Sequence, residues 1–195
     1  MRTMVLMGNP EKQIILDAVA EDSDASLVRR FQSGDTSAFD ELVTKHQSYV
    51  YNLCLQMLGN PSDAEDAAQE AFLGIYRGLA RFRMNAKVST WIYRIATNQC
   101  MSHWRKRQEL PVEIDIEDHS SGFEEAEKRR SVKHLIGQLP PHYRAVLVLK
   151  YYRELSYEEI ADILGWSVAK VKCYLHRARN IFKKKYEEHE DGGLL

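Results

Sequence analysis

The chain has 195 residues, 44% apolar and 28% charged, with a formal net charge of −1 and only 10 Gly and 5 Pro. That length accommodates one large domain or two small ones, and periodic stretches rich in Ala, Leu, Glu, Lys, Arg and Gln, with no long alternating Val/Ile/Thr run, exclude a sheet-based fold. The near-zero net charge conceals segregation: residues 81–107 and 170–185 each carry seven bases and no acid, while 109–127 between them carries eight acids and no base. Two basic blocks interleaved with aromatics point to a polyanion, and nucleic acid is the one expected.

Residues 1–23 read as a weakly ordered extension with no assigned role. They lack the apolar segment and small-residue cleavage site of a signal peptide, and the longest aliphatic stretch, Ala145 to Leu149, is too short to span a bilayer. A cytoplasmic protein without membrane insertion is therefore expected. The three cysteines, Cys54, Cys100 and Cys173, are odd in number and far apart, which suits a reducing compartment rather than a disulfide framework.

From Phe39 the positions Leu42, Val43, His46, Val50, Leu53 and Met57 recur at helical spacing, and Gly59-Asn60-Pro61 stops that helix. A second helix, with Ser62 or Asp63 as its cap and acids in its first turn, runs to about Leu79. A basic loop follows over 81–89. Ser89 or Thr90 is placed to cap a third helix, with Trp91, Ile92, Ile95 and Ala96 inward, which ends in Arg105-Lys106-Arg107. These helices form a first domain, 24–107. Residues 108–123, acidic and without an apolar stripe, read as a linker, and 124–187 as a second domain followed by a tail, 188–195. The fold expected is all-α, two small helical domains joined by a flexible acidic linker.

In the second domain a helix passes through Val132, Leu135, Ile136 and Leu139, and another, opened by Pro141, covers Tyr143 to Tyr152. Ser156-Tyr157-Glu158-Glu159 then has the spacing of a capping box. Ile160, Ala161 and Leu164 give the next helix its apolar face, Gly165 makes the turn, and Ser167 caps a final helix. Val171 packs back between the two helices, which leaves Lys170, Lys172, Tyr174, His176, Arg177 and Arg179 facing outward or partly outward. This is helix-turn-helix spacing, and its outward face fits a major groove. An ordinary helical hairpin with a basic surface is the bland alternative. The absence of acid from 170–185 favours DNA. Lys183 to Lys185, near the helix end, suit phosphates rather than base edges.

Three segments in order, AEDAAQEAFLGIYRGLARF at 64–82, STWIYRIATNQCMSHWRKR at 89–107 and LSYEEIADILGWSVAKVKCYLHRAR at 155–179, resemble the bacterial sigma factors of the extracytoplasmic-function group. The resemblance covers about residues 24–187. It implies an alternative sigma factor that binds core RNA polymerase, directs it to promoters and helps melt the minus-ten region. By that resemblance Asp66, Gln69 and Glu70 contact the polymerase clamp, an acidic face suited to a basic partner. Phe82, Arg83, Asn85, Lys87, Asn98, Arg105 and Lys106 hold the minus-ten element as a single strand, aromatics and amides for an extruded base and cations for phosphates. Trp91, by its spacing with Ile95, is expected in the core.

Lys170, Lys172, Cys173, His176 and Arg177 are assigned to the minus-thirty-five duplex. Here the chain departs from the family's common pattern, with Ala169-Lys170 where Gly-Thr is frequent and Cys173 in place of Ser or Arg. An anti-sigma protein is a further implied partner. Elements about 25 base pairs apart lie about 85 Å apart along duplex, so the linker, at most about 56 Å long, must run nearly extended, through a basic channel of the polymerase.

A stand-alone helix-turn-helix transcriptional regulator is the alternative reading, and it leaves the acid-then-basic layout of 62–107 unexplained. No Gly-rich phosphate loop or nucleophile elbow is present, so no enzyme and no catalytic residue is expected. Cys100 and His103 share a helix face, but an isolated pair is a poor metal site, and no metal or cofactor is expected.

Overall fold

The computed structural model describes residues 23–108, 132 and 134–192, and all regular structure among them is helical. The extension over 1–22 and the linker beyond Gln108 lie outside the described residues. Helix α1 (23–32) was not anticipated. It is held by tertiary contacts: Leu27 and Val28 are buried, and Asp24, only 3% exposed, accepts from His46 at 2.9 Å and pairs with Lys45 at 2.6 Å. Gly34, at φ 104°, turns the chain, and the Asp35 carboxylate accepts from the Ser37 backbone N–H at 3.0 Å to open the next helix.

Helix α2 (Ser37–Leu58) buries Ala38, Leu42, His46, Val50, Leu53 and Met57 at three- and four-residue spacing. Gly59 ends it in the left-handed conformation, its N–H donating to Leu55 O at 2.8 Å. The cap of α3 (Pro61–Leu79) is Asn60 rather than Ser62 or Asp63. The Asn60 side chain accepts from Asp63 N at 3.0 Å, and Pro61 fits the first turn because it has no N–H to leave unsatisfied. One tripeptide thus stops α2 and starts α3. Ala64, Ala67, Ala68 and Ala71 form a buried small-residue stripe on α3 that lets α2 and α4 pack closely on it.

Helix α4 (Val88–Gln108) begins one residue before the expected caps: Trp91 N donates to Lys87 O at 3.1 Å, so Ser89 and Thr90 stand within its first turn. After the last turn of α5 (134–137), α6 (Pro141–Leu147) widens into a π turn over Val148–Tyr152, where the sequence suggested one uniform helix. Helix α7 (Tyr157–Leu164) has the capping box complete and Gly165 at φ 64° closing it. Helix α8 (Val168–Gly192) continues beyond residue 187, where a tail was expected.

The domains are not merely tethered. Helix α7 lies along α4, and one buried apolar cluster runs through both domains. Arg144, on α6 and 7% exposed, reaches across to donate to Met57 O at the end of α2, at 2.7 Å.

Candidate nucleic-acid interface

The helix-turn-helix is built from local chemistry. Ser156 Oγ accepts from Glu159 N at 3.1 Å, and Glu159 Oε2 accepts from Ser156 N at 2.9 Å, which satisfies donors a helix start leaves open. Ser167 Oγ accepts from Lys170 N at 3.2 Å and fixes the start of α8. Val171, Leu175 and Ala178 are buried against α6 and α7. Lys170, Lys172, Cys173, His176 and Arg177 are consequently all exposed along α8, on the face expected for duplex DNA.

Lys170 does not extend freely. Its Nζ sits 4.3 Å from the Trp166 ring centroid and 5.5 Å from that of Tyr174, the two rings packing 4.6 Å apart. Partial burial, and then the Lys170 charge, push the His142 imidazole below its usual 6.5, so at neutral pH an uncharged ring packs on Trp166. Trp166 and His142 escape the sequence reading, and Tyr174 enters it only as an outward or partly outward position, since helical spacing marks which residues face outward and not what they touch.

In the first domain Arg83, Asn85 and Lys87 are exposed on the α3–α4 loop, and Asn98, Arg105 and Lys106 are exposed on α4. Gln32 of α1 anchors the loop's entry, its Nε2 donating to Leu79 O at 3.0 Å and Phe82 O at 2.9 Å. Phe82 is buried, with its ring stacked on Trp91 at 4.7 Å. It backs Trp91 instead of offering a free flat wall. Trp91 is core, as its spacing indicated, yet its edge lines an open cleft of roughly 210 Å³ with Asn85, Ala86, Thr90, Arg94 and Asp162. That cleft admits a single planar ring system, not a drug-sized ligand. Arg94, one turn before Asn98, was missed; the i, i+4 spacing was the available signal.

The acid-rich face of α3 also stands clear, with Asp66, Gln69 and Glu70 exposed. Leu73 and Tyr76 extend it one and two turns further, 49% and 47% exposed. Cys54 and Cys100, distant in sequence, meet inside the first domain. Contact with Cys54 and burial both push the Cys100 thiol upward, which keeps it neutral. No group of three potential metal ligands occurs among the described residues.

The family model described as Sigma-70 region 2 matches residues 42–109, and that described as Sigma-70, region 4 matches 129–181. Together they span more than half of the chain. It belongs to the sigma-70 family, in the extracytoplasmic-function group.

The sigma factor is 35% identical over 178 residues to the ECF RNA polymerase sigma factor SigW of Bacillus subtilis, covering 83% of this chain and 95% of the relative. It is 33% identical over 183 residues to the RNA polymerase sigma-H factor of Pseudomonas aeruginosa, covering 85% and 95% respectively. Its fold is shared with CnrH, solved in complex with the cytosolic domain of CnrY, at a TM-score of 0.67 and 23% identity over 85% of this chain and 98% of that one. The stand-alone regulator reading is not favoured, since both matched regions occur in sigma-factor order.

Proposed function

We propose that this sigma factor joins core RNA polymerase through the α3 face of Asp66, Gln69 and Glu70, extended by Leu73 and Tyr76. In this reading residues 24–107 act as the minus-ten module, with Arg83, Lys87, Arg105 and Lys106 on phosphates and Asn85 and Asn98 on an extruded base beside Trp91. Residues 124–187 act as the minus-thirty-five module, with Lys170, Lys172, Cys173, His176 and Arg177 along the groove, and 108–123 joins the two. The protein works in the cytoplasm, where its partners are polymerase, promoter DNA and an anti-sigma protein, and it catalyses no reaction itself.

The observation that carries the reading is the capped α7–α8 pair, which presents an acid-free row of exposed cations and polar groups on one rigid helix. Run-off transcription with core polymerase on genomic fragments tests it. Arg177→Ala is expected to cut initiation about ten-fold through one lost base contact, and Asn98→Ala to slow opening of the same promoters. Strong duplex binding by the protein alone, with no start-site choice conferred on polymerase, would overturn it.

A further inference from the structure

We propose that Trp166 and Tyr174 are positioning residues that make Lys170 the reader of a guanine edge in duplex DNA. The inference rests on the minus-thirty-five reading above and names what one of its residues recognises, and by what means.

A lysine ammonium is a compact charge with three rotatable donors on a flexible four-carbon stem, so by itself it has no fixed direction. Lys170 differs because it is held at both ends. Its backbone N–H donates to Ser167 Oγ at 3.2 Å, in the first turn of α8, and its Nζ lies 4.3 Å from the Trp166 ring centroid and 5.5 Å from that of Tyr174. Trp166, Lys170 and Tyr174 are spaced by four, which puts one ring a turn before the lysine and one a turn after it. The two rings meet at 4.6 Å and form a common floor for the ammonium.

That floor is itself tied down. Trp166 N donates to Ala161 O of α7 at 2.9 Å, and the Tyr174 ring packs on Tyr143 of α6 at 5.4 Å. His142 adds a third ring, 5.6 Å from Trp166 and 6.4 Å from Tyr174. With the floor fixed from α6, α7 and α8, Lys170 gives up less rotamer freedom when it meets a base. Ring faces attract the ammonium through their quadrupoles and leave its N–H donors for an acceptor.

The acceptor follows from place and charge. Residues at the N-terminal end of a helix lodged in the major groove reach base edges, and Lys170 is in that first turn. Guanine presents two adjacent acceptors there, O6 and N7, whereas adenine and cytosine each present an amino donor that opposes an ammonium, and thymine sets its one acceptor beside a methyl group.

The test is selection by the full chain in complex with core polymerase, from a pool built on a promoter found by run-off transcription and randomised across its minus-thirty-five element. The wild type is expected to prefer G at one position by about ten-fold, and Lys170→Ala and Trp166→Leu to reduce that preference to about two-fold or less while the other positions hold. Trp166→Phe, which keeps a ring face, should retain most of it, and the apolar leucine separates the ring's attraction from simple packing. In the Lys170→Ala background, Trp166→Leu should change nothing further.

A selection that Lys170→Ala leaves intact, an even loss across all positions, or a full preference for G in Trp166→Leu overturns the proposal. Should Trp166→Leu fail to fold, Tyr174→Leu decides, with loss at the same position expected and an unchanged preference fatal. A wild-type complex that selects no sequence at all sinks the minus-thirty-five reading itself, whereas selection that survives Lys170→Ala sinks only the guanine assignment.

Discussion

In the helix-turn-helix, the eight residues of α7 are fastened at both ends, by the Ser156–Glu159 box and by left-handed Gly165, and α8 exposes the residues proposed to read duplex along one face. In the first domain the residues proposed to read the minus-ten strand are split between a loop and the side of α4. They are held by longer-range contacts, from Gln32 to the loop entry and from Phe82 to Trp91. The first surface is ready for a regular duplex, whose groove matches a rigid helix. The second, on the proposed function, meets an irregular, unpaired strand, and α7 packs along the helix that carries part of it.

The largest effect expected is on the long-range contacts of the first domain. Asp24→Ala removes one partner of a buried cluster and leaves His46 unpaired, which should cost about 3 kcal/mol and lower Tm by about 6 °C or more. Burial alone would raise the Asp24 pKa, but bonds from His46 and Lys45 outweigh it and hold the group below 3.8. Its folded pKa is thus the lower one. The stabilisation is present above about pH 4 and is lost as pH falls through the folded value. Asp24→Asn should flatten that acid limb in a pH series of thermal melts; an unaltered limb would place the acid sensitivity elsewhere.

Gly78→Ala comes next. A Cβ there would stand 2.9 Å from Trp91 Cζ2, an overpacking only partly offset by alanine's helix preference, so a net loss of about 1–2 kcal/mol is expected. Because Trp91 must shift, promoter opening should fall while duplex binding by α8 holds. Equal loss at both elements would erase the contrast between the two readers.

Ser156→Ala tests the locally built domain. Loss of the cap should cost about 1 kcal/mol, read by denaturant titration, and weaken duplex binding before single-strand binding. The smallest effect is that of Lys183→Ala on exposed α8: binding should weaken evenly across sequences, with the salt slope falling by about one. A sequence-dependent loss would move Lys183 from phosphate to base.

The helix-turn-helix could be read almost residue by residue, because a capping box, a left-handed glycine and a Ser cap act over three or four positions. Asn60 was misread because Gly59-Asn60-Pro61 signals a stop and a start at once, and only the backbone assigns the side-chain bond. Helix α1 escaped because its fold depends on burying Leu27 and Val28 and on pairing Asp24 with a residue 22 positions away. Arg94 and Asn98 share a helical face that spacing reveals, but no spacing reveals that Asp162 lines the same cleft.

By itself, then, the sequence determined the helices from α2 to α4, the α7–α8 pair with its caps, the segregation of charge and the outward face of α8, since each follows from interactions within a few residues. The meeting of Cys54 with Cys100, the reach of Arg144 to Met57 and the packing of α7 against α4 and the end of the loop before it were decided only by the tertiary structure. Those contacts join distant segments through packing, where shape and burial rather than local order choose the partner.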